Sequence, residues 1–268
     1  CATTSISTPP ANQTVCAGST ATFSVTATGT GLTYQWLKNA VNISGATASS
    51  YTTPATTAAD NNAQYSVVVT NACGTPVTSN AATLTVNATT AITTTPSSQT
   101  KTVGQSVTFS VVATGTNLTY QWRKQGSNIS GATSASYSIA AVTFADAANY
   151  DVVVTGSCGS QTSTAATLTV GCVTSLTVND LGDGADATPG NGICETATGN
   201  GVCTLRAAIE ETNILTGCTP FTITITATGT ITLASALPLI NHPNLAINGP
   251  GANQLTVSGN NVTRIFTI

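Results

Sequence analysis

Residues 32–51 read LTYQWLKNAVNISGATASSY, and residues 118–137 read LTYQWRKQGSNISGATSASY. A second pair repeats at the same interval: YSVVVTNACGTPVTSNAATLTV at 65–86 and YDVVVTGSCGSQTSTAATLTV at 150–170. A period of about 85 residues is too long for a solenoid repeat and suits a small β-sandwich domain. Within each copy, short runs alternate Val, Ile or Leu with Thr or Ser, the pattern of a strand with one buried face. Turn residues separate the runs (TGTGL, NISGAT, TNACGT), and none carries a helical period. The first 171 residues therefore read as two copies of one all-β unit.

Composition narrows the function classes. The chain has 268 residues, 41% of them hydrophobic and only 6% charged, so its polar surface is Thr, Ser, Asn and Gln rather than ions. Six basic against nine acidic residues argue against nucleic acid as a partner. No apolar run approaches the ~18 residues needed to cross a bilayer, because Thr interrupts every candidate, so membrane insertion is not expected. Eight cysteines with no CxxC pair point to disulfides and an oxidising, extracellular or cell-surface location. The chain has no Met, hence no initiator, which reads as a processed chain or a piece of a longer one.

The repeat resembles bacterial immunoglobulin-like domains. Trp36 and Trp122 fall where that fold buries the tryptophan of its third strand, and Tyr65 and Tyr150 fall where a tyrosine opens its sixth. The family's inter-sheet cysteines are absent; Val25 and Val67 take their places in the first copy, Val111 and Val152 in the second. The resemblance implies domains over 1–87 and 88–171, with the four aromatics as core. Aligning SISTPPANQTV (5–15) with AITTTPSSQTK (91–101) sets Cys1 opposite Asn87, so an earlier domain of the same kind is expected before Cys1.

On that fold, Cys16 sits at the bottom of a sandwich, while Cys73 and Cys158 sit at the top. A disulfide needs Cα atoms about 4.4 to 6.8 Å apart, which the two ends of one sandwich do not offer. In a head-to-tail array the bottom of one domain meets the top of the next. The expected pairs are therefore Cys16–Cys158 across the junction and Cys1–Cys73. The rival pairing, Cys16 with Cys73, leaves Cys158 without a partner.

After Cys172 the style changes. The run NGICETATGNGVCTLRAAIEETN (191–213) holds two close cysteines, an Arg and the one convincing helical period. Leu205, Ala208, Ile209, Thr212 and Leu215 form an apolar stripe, with Arg206, Glu210 and Glu211 outside it, so a helix is expected over about 204–215. Residues 174–215 resemble the CSLREA-type motif that opens many bacterial surface β-helix proteins, matching at Cys203, Thr204, Leu205, Arg206, Ala208 and Ile209. Thr204 stands for the motif's Ser, and Ala207 for its Glu. The short apolar runs FTITITATGTITL, LAING, LTVSG and RIFTI return at about 21 residues (Ile225, Ile247, Ile268), which suits coils of a parallel β-helix. The helix is then a lid over the first coil, and further coils are expected beyond Ile268. Cys194–Cys203 and Cys172–Cys218 complete the expected bonds. The whole is read as all-β: two immunoglobulin-like β-sandwiches in tandem, followed over 172–268 by the helix-capped start of a right-handed parallel β-helix.

Six of the nine acidic residues lie between 180 and 211. Asp180, Asp183 and Asp186 in a Gly-rich loop are the candidate ligands for calcium, the one cofactor weighed; the alternative is a solvated loop of turn formers. His242, the only histidine, precedes a proline and lies near no nucleophile motif. Glu210 and Glu211 are adjacent on one helix and make no acid–base pair across a cleft. Sequons begin at Asn12, Asn42, Asn87, Asn117, Asn128 and Asn261, as many as so Thr-rich a chain yields by chance. The reading is a non-enzymatic structural or adhesive stalk segment of a secreted bacterial surface protein, assembling head to tail into a filament in its sharper form. Its partners are copies of itself, further domains of the same chain, or surface glycans. The alternative is the non-catalytic front of a β-helix polysaccharide lyase or glycoside hydrolase.

Overall fold

In the computed structural model, residues 3–72, 74–261 and 263–267 are described. The first unit contains β1 (Ser5–Thr8), β2 (Gln13–Cys16), β3 (Thr22–Ser24), β4 (Thr26–Thr28) and β5 (Thr33–Lys38). It continues through β6 (Val41–Asn42), β7 (Ser50–Thr52), β8 (Gln64–Thr70), β9 (Val77–Thr78) and β10 (Ala82–Asn87). One sheet runs β2-β10-β8-β5-β6, with β9 beside β8. The pairs β1–β4 and β3–β7 face it across the core. Pro9 and Pro10 have no N–H for a ladder, so the chain leaves β1 there and rejoins the other sheet as β2, parallel to β10.

The second unit repeats the plan. Its strands are β11 (Ala91–Thr94), β12 (Gln99–Thr102), β13 (Val107–Ser110), β14 (Val112–Thr114) and β15 (Thr119–Lys124). Then follow β16 (Ser127–Asn128), β17 (Ser136–Ile139), β18 (Ala148–Gly156), β19 (Gly159–Thr162) and β20 (Ala166–Gly171). Sheet order is β12-β20-β18-β15-β16, with β12 again parallel to β20.

Alternation decides the cores. Along β8 every second side chain, Tyr65, Val67 and Val69, is buried, and Trp36 on β5 lies directly opposite Val67. Trp122 and Val152 make the same pair in the second unit. Each buried indole N–H finds a carbonyl, Ala48 for Trp36 and Ser134 for Trp122, both at 2.9 Å. Phe109 stacks on Tyr150, whose hydroxyl donates to the Asp146 carbonyl at 2.9 Å and pins the strand to the turn before it. Val25, Val67, Val111 and Val152 are buried where the family's cysteines would stand, so apolar packing does the cross-linking here.

The remainder is built differently. It has β21 (Ser175–Val178), α1 (Leu205–Ile214), β22 (Phe221–Ile225), β23 (Gly229–Thr232), β24 (Leu245–Asn248) and β25 (Leu255–Ser258). Every strand pair here is parallel: β21-β22-β24 in one sheet and β23-β25 in another. Leu205, Ala208 and Ile209 of α1 share one core with Val178, Phe221, Ile223 and Ile231. The expected return of about 21 residues is corrected: Phe221 pairs with Leu245 and Ile223 with Ile247, a return of 24, and Ile225 has no such partner. A slip of two residues keeps every side chain on its own face, so alternation alone does not choose between these registers. Arg264–Thr267 of RIFTI form no strand, and Ile268 lies outside the described residues.

Candidate functional site

The distinctive chemistry lies at the two junctions and in the Gly-rich loop between β21 and α1. At the first junction Cys16 ends β2 and pairs in register with Asn87, the last residue of its unit. Cys158 occupies the turn between β18 and β19. Their sulfurs are bonded, with Cα atoms 5.7 Å apart, so the bond ties the first sandwich to the second where the chain crosses. Beside it the Ala88 N–H donates to the Thr116 hydroxyl at 2.8 Å. Cys172–Cys218 and Cys194–Cys203 are bonded as well, with Cα separations of 5.3 and 5.1 Å. The expected Cys1–Cys73 pair lies outside the described residues.

At the second junction, Val103 is a sandwich residue by sequence but is buried in the C-terminal core, and Val170 packs against both cores. Gly192 has φ +82°, and a Cβ there would lie 2.6 Å from the Val103 carbonyl oxygen. Only glycine allows the loop so close to the second sandwich.

The loop is held by side chains rather than by a ladder. Thr204 caps α1, its hydroxyl accepting from the Ala207 N–H at 3.1 Å and donating to the Gly184 carbonyl. The Ser-to-Thr departure from the CSLREA pattern thus keeps the cap, whereas Ala207 at the third helical position lacks the carboxylate that would complete a capping box. Arg206 makes a two-pronged pair with Asp183 at 2.9 Å on both prongs, and also donates to the Ser235 and Ala236 carbonyls. Asp183 accepts from the Ala234 N–H as well, so one ion pair binds the loop, the helix and the segment after β23.

Glu211 corrects the expected helix face. It was placed outside the apolar stripe, yet it is wholly buried and accepts from the Gly190 and Gly192 N–H groups. Burial pushes its carboxyl up, and those N–H groups pull against the shift. The helix has two covered sides, the sheet on one and the loop on the other. A wheel built on apolar residues finds only the first. Glu210 accepts from the Asp186 N–H at 2.7 Å, so the two adjacent acids hold two parts of the same loop.

The three aspartates named for calcium each have partners elsewhere. Asp180 turns onto its own Gly182 N–H at 2.7 Å, Asp183 is held by Arg206, and Asp186 accepts from the Thr188 and Glu195 N–H groups. Among the described residues no three acidic, His or Cys side chains are grouped to hold a metal. His242 is buried, with Nε2 3.2 Å from the carbonyl of Leu215 at the helix C-cap and its ring edge-on to Phe221. It helps line an apolar cavity of about 590 Å³ with Ile225, Leu245, Ile247, Val257 and Phe266. Asn213 was not singled out from sequence, yet it donates to the Leu239 carbonyl and accepts from the Asn241 N–H. Its place at the last turn of a capped helix was the available signal.

Comparison with known proteins reaches the two sandwiches. Residues 90–170 match the family described as the immunoglobulin I-set domain, and residues 5–88 match a domain of unknown function, DUF8696. No curated protein matches the chain. Among solved structures, Sidekick-1 immunoglobulin domains 1–4 superpose with a TM-score of 0.55 at 21% identity, over 63% of this chain. The chain spans about half of that fragment, 48%. The titin domains I67–I69, an E-to-A variant, give 0.53 at 18% identity, over 69% of this chain and 72% of theirs. Rst D1–D2 gives 0.52 at 15%, over 63% of this chain and 99% of that one. At such identities the likeness speaks for fold: the chain is all-β and contains tandem immunoglobulin-like sandwiches.

Proposed function

We propose that this chain is a structural, adhesive-type stalk segment of a large secreted bacterial surface protein. The observation that carries the reading is the Cys16–Cys158 bond. It joins two sandwiches that already have complete cores, so its effect falls on the relation between domains. Such a bond suits an oxidising exterior and a rod that must not bend freely at its linker. The reading takes the C-terminal module as the capped start of a right-handed parallel β-helix. In-register parallel pairing of β21, β22 and β24 under one core with α1 supports this, as does the hydroxyl cap at the CSLREA-like position. Further coils of the same chain, or copies of it in a filament, are partners that the apolar cavity beside β24 and β25 suits. The test uses antibody raised against the sandwiches on intact and permeabilised source cells, with electron microscopy of the oxidised protein. Surface labelling of intact cells and straight rods are expected. Labelling only after permeabilisation, or rods hinged freely at residue 88, overturns the proposal.

A further inference from the structure

The three bonds do more than staple neighbours, and their order along the chain is the reason. Cys16–Cys158 closes a loop across 142 positions that contains nearly all of both sandwiches. Cys172–Cys218 closes a second loop, across 46 positions, that contains β21, the Gly-rich loop and α1. The two loops do not overlap, and one stretch separates them: Cys158 to Cys172, which is β19, the following turn and β20. From Cys218 the chain runs almost at once into β22, the middle strand of the parallel sheet.

We infer that the chain is a tether in which tension applied at the two ends bypasses most of both sandwiches and the helical cap. Tension entering at the N-terminal strand reaches Cys16, crosses to Cys158, and runs along the last strand of the second sandwich. It then crosses from Cys172 to Cys218 and enters β22. Between Cys16 and Cys218 only the stretch from Cys158 to Cys172 lies on this path. Its reach is roughly 50 Å, and much of it is already extended strand. The hydrogen-bond ladders of β5, β8, β15 and β18, which hold the sandwich cores, lie off the path. Reduction of each bond to two thiols puts the loop it closed onto the path, and an external dithiol supplies the two electrons and two protons. The inference deepens the stalk reading and rests on it for its purpose, but not for its mechanics.

Single-molecule pulling of the full chain between its ends tests it. With the bonds closed, the strands between Cys16 and Cys158 release no length at forces that unfold them once reduced. Adding dithiol to a molecule held under force lengthens it by about 500 Å in all from the Cys16–Cys158 loop and about 160 Å in all from the Cys172–Cys218 loop, of which about 30 Å waits for Cys194–Cys203, at the ~3.5 Å per residue limit. Replacing Cys16→Ser together with Cys158→Ser yields a gain without reductant and leaves the Cys172–Cys218 gain dependent on it. Two sandwich-sized steps from the oxidised natural chain, or reduction without lengthening, overturn the inference. Should the double variant not fold, the reductant arm on the natural chain still decides. A rigid tether found inside cells would overturn the stalk assignment and leave the bypass standing.

Discussion

The sandwiches and the C-terminal module solve one problem in opposite ways. In the sandwiches, strands supply partners for one another's backbone groups, and alternation turns one face inward. Among the described residues, no disulfide lies inside either sandwich. Between β21 and α1, by contrast, residues 179–204 form neither strand nor helix. Several of their N–H groups are satisfied by Glu210, Glu211, Asp186 and Asp180, and a disulfide closes the end of the run. Backbone donors removed from water must be paired by something. Where a ladder is missing, carboxylates and covalent bonds take its place, and charge gathers there in a chain otherwise nearly free of it.

The sharpest break of this comparison is Trp122→Ala. A fully buried indole that also anchors the Ser134 carbonyl should cost about 3–5 kcal/mol. Trp36 remains as the sole indole, so its fluorescence follows the first sandwich alone. Denaturant unfolding should show the second sandwich failing early while the Trp36 transition stays in place. A joint shift of both would mean that the units do not unfold separately.

Next in size is Cys194→Ser with Cys203→Ser. The bond closes a loop of about ten residues, for which chain entropy gives about 2.5 kcal/mol. The loss should appear in the transition of the C-terminal module and leave the indole signals unmoved.

Glu211→Gln is smaller, about 2 kcal/mol, because an amide offers one acceptor where two N–H groups point. It carries a sign as well. The folded carboxyl is raised above the ordinary 4.5, chiefly by burial, so the folded state holds its proton more tightly than the unfolded chain does. The module therefore loses stability as pH climbs from 4.5 through the raised value, and the glutamine variant should lack that slope. Melting curves from pH 4 to 8 read it directly; equal slopes in both proteins would remove Glu211 from the account.

The same contrast explains what was legible in the sequence. Tryptophans, tyrosines and alternation mark the sandwich cores because one local period repeats twice, and a duplicated pattern corrects its own noise. The helix was legible from its apolar stripe. What escaped is non-local. Glu211 is buried by a loop some 20 residues upstream, and nothing in the helix itself signals that cover. Arg206 finds carbonyls at 235 and 236, beyond any short-range pattern. The register of β22 against β24 escaped because two inward-facing isoleucines, Ile223 and Ile225, satisfy alternation equally.

The smallest effect sharpens the comparison within the sandwich pair itself. Each unit has a Lys–Asp bridge at one short 3-10 turn: Lys38–Asp60 at 2.5 Å in the first and Lys124–Asp146 at 3.5 Å in the second. Lys38 is the main reason the Asp60 carboxyl falls to about 2, helped by the Thr57 N–H and hydroxyl. Burial works against the same downward shift at Asp146, where Thr143 and the more distant Lys124 outweigh it. A carboxyl lowered in the folded state contributes stability that is whole above its ordinary value of 3.8 and is lost as pH falls toward 2. Carboxyl-carbon NMR titration should place the Asp60 midpoint near 2, and Lys38→Met should move it upward while leaving Asp146 unchanged. A midpoint at 3.8 in the natural chain would show that the tight bridge does not persist in solution. The first sandwich would then lose its expected acid sensitivity between pH 4 and 2.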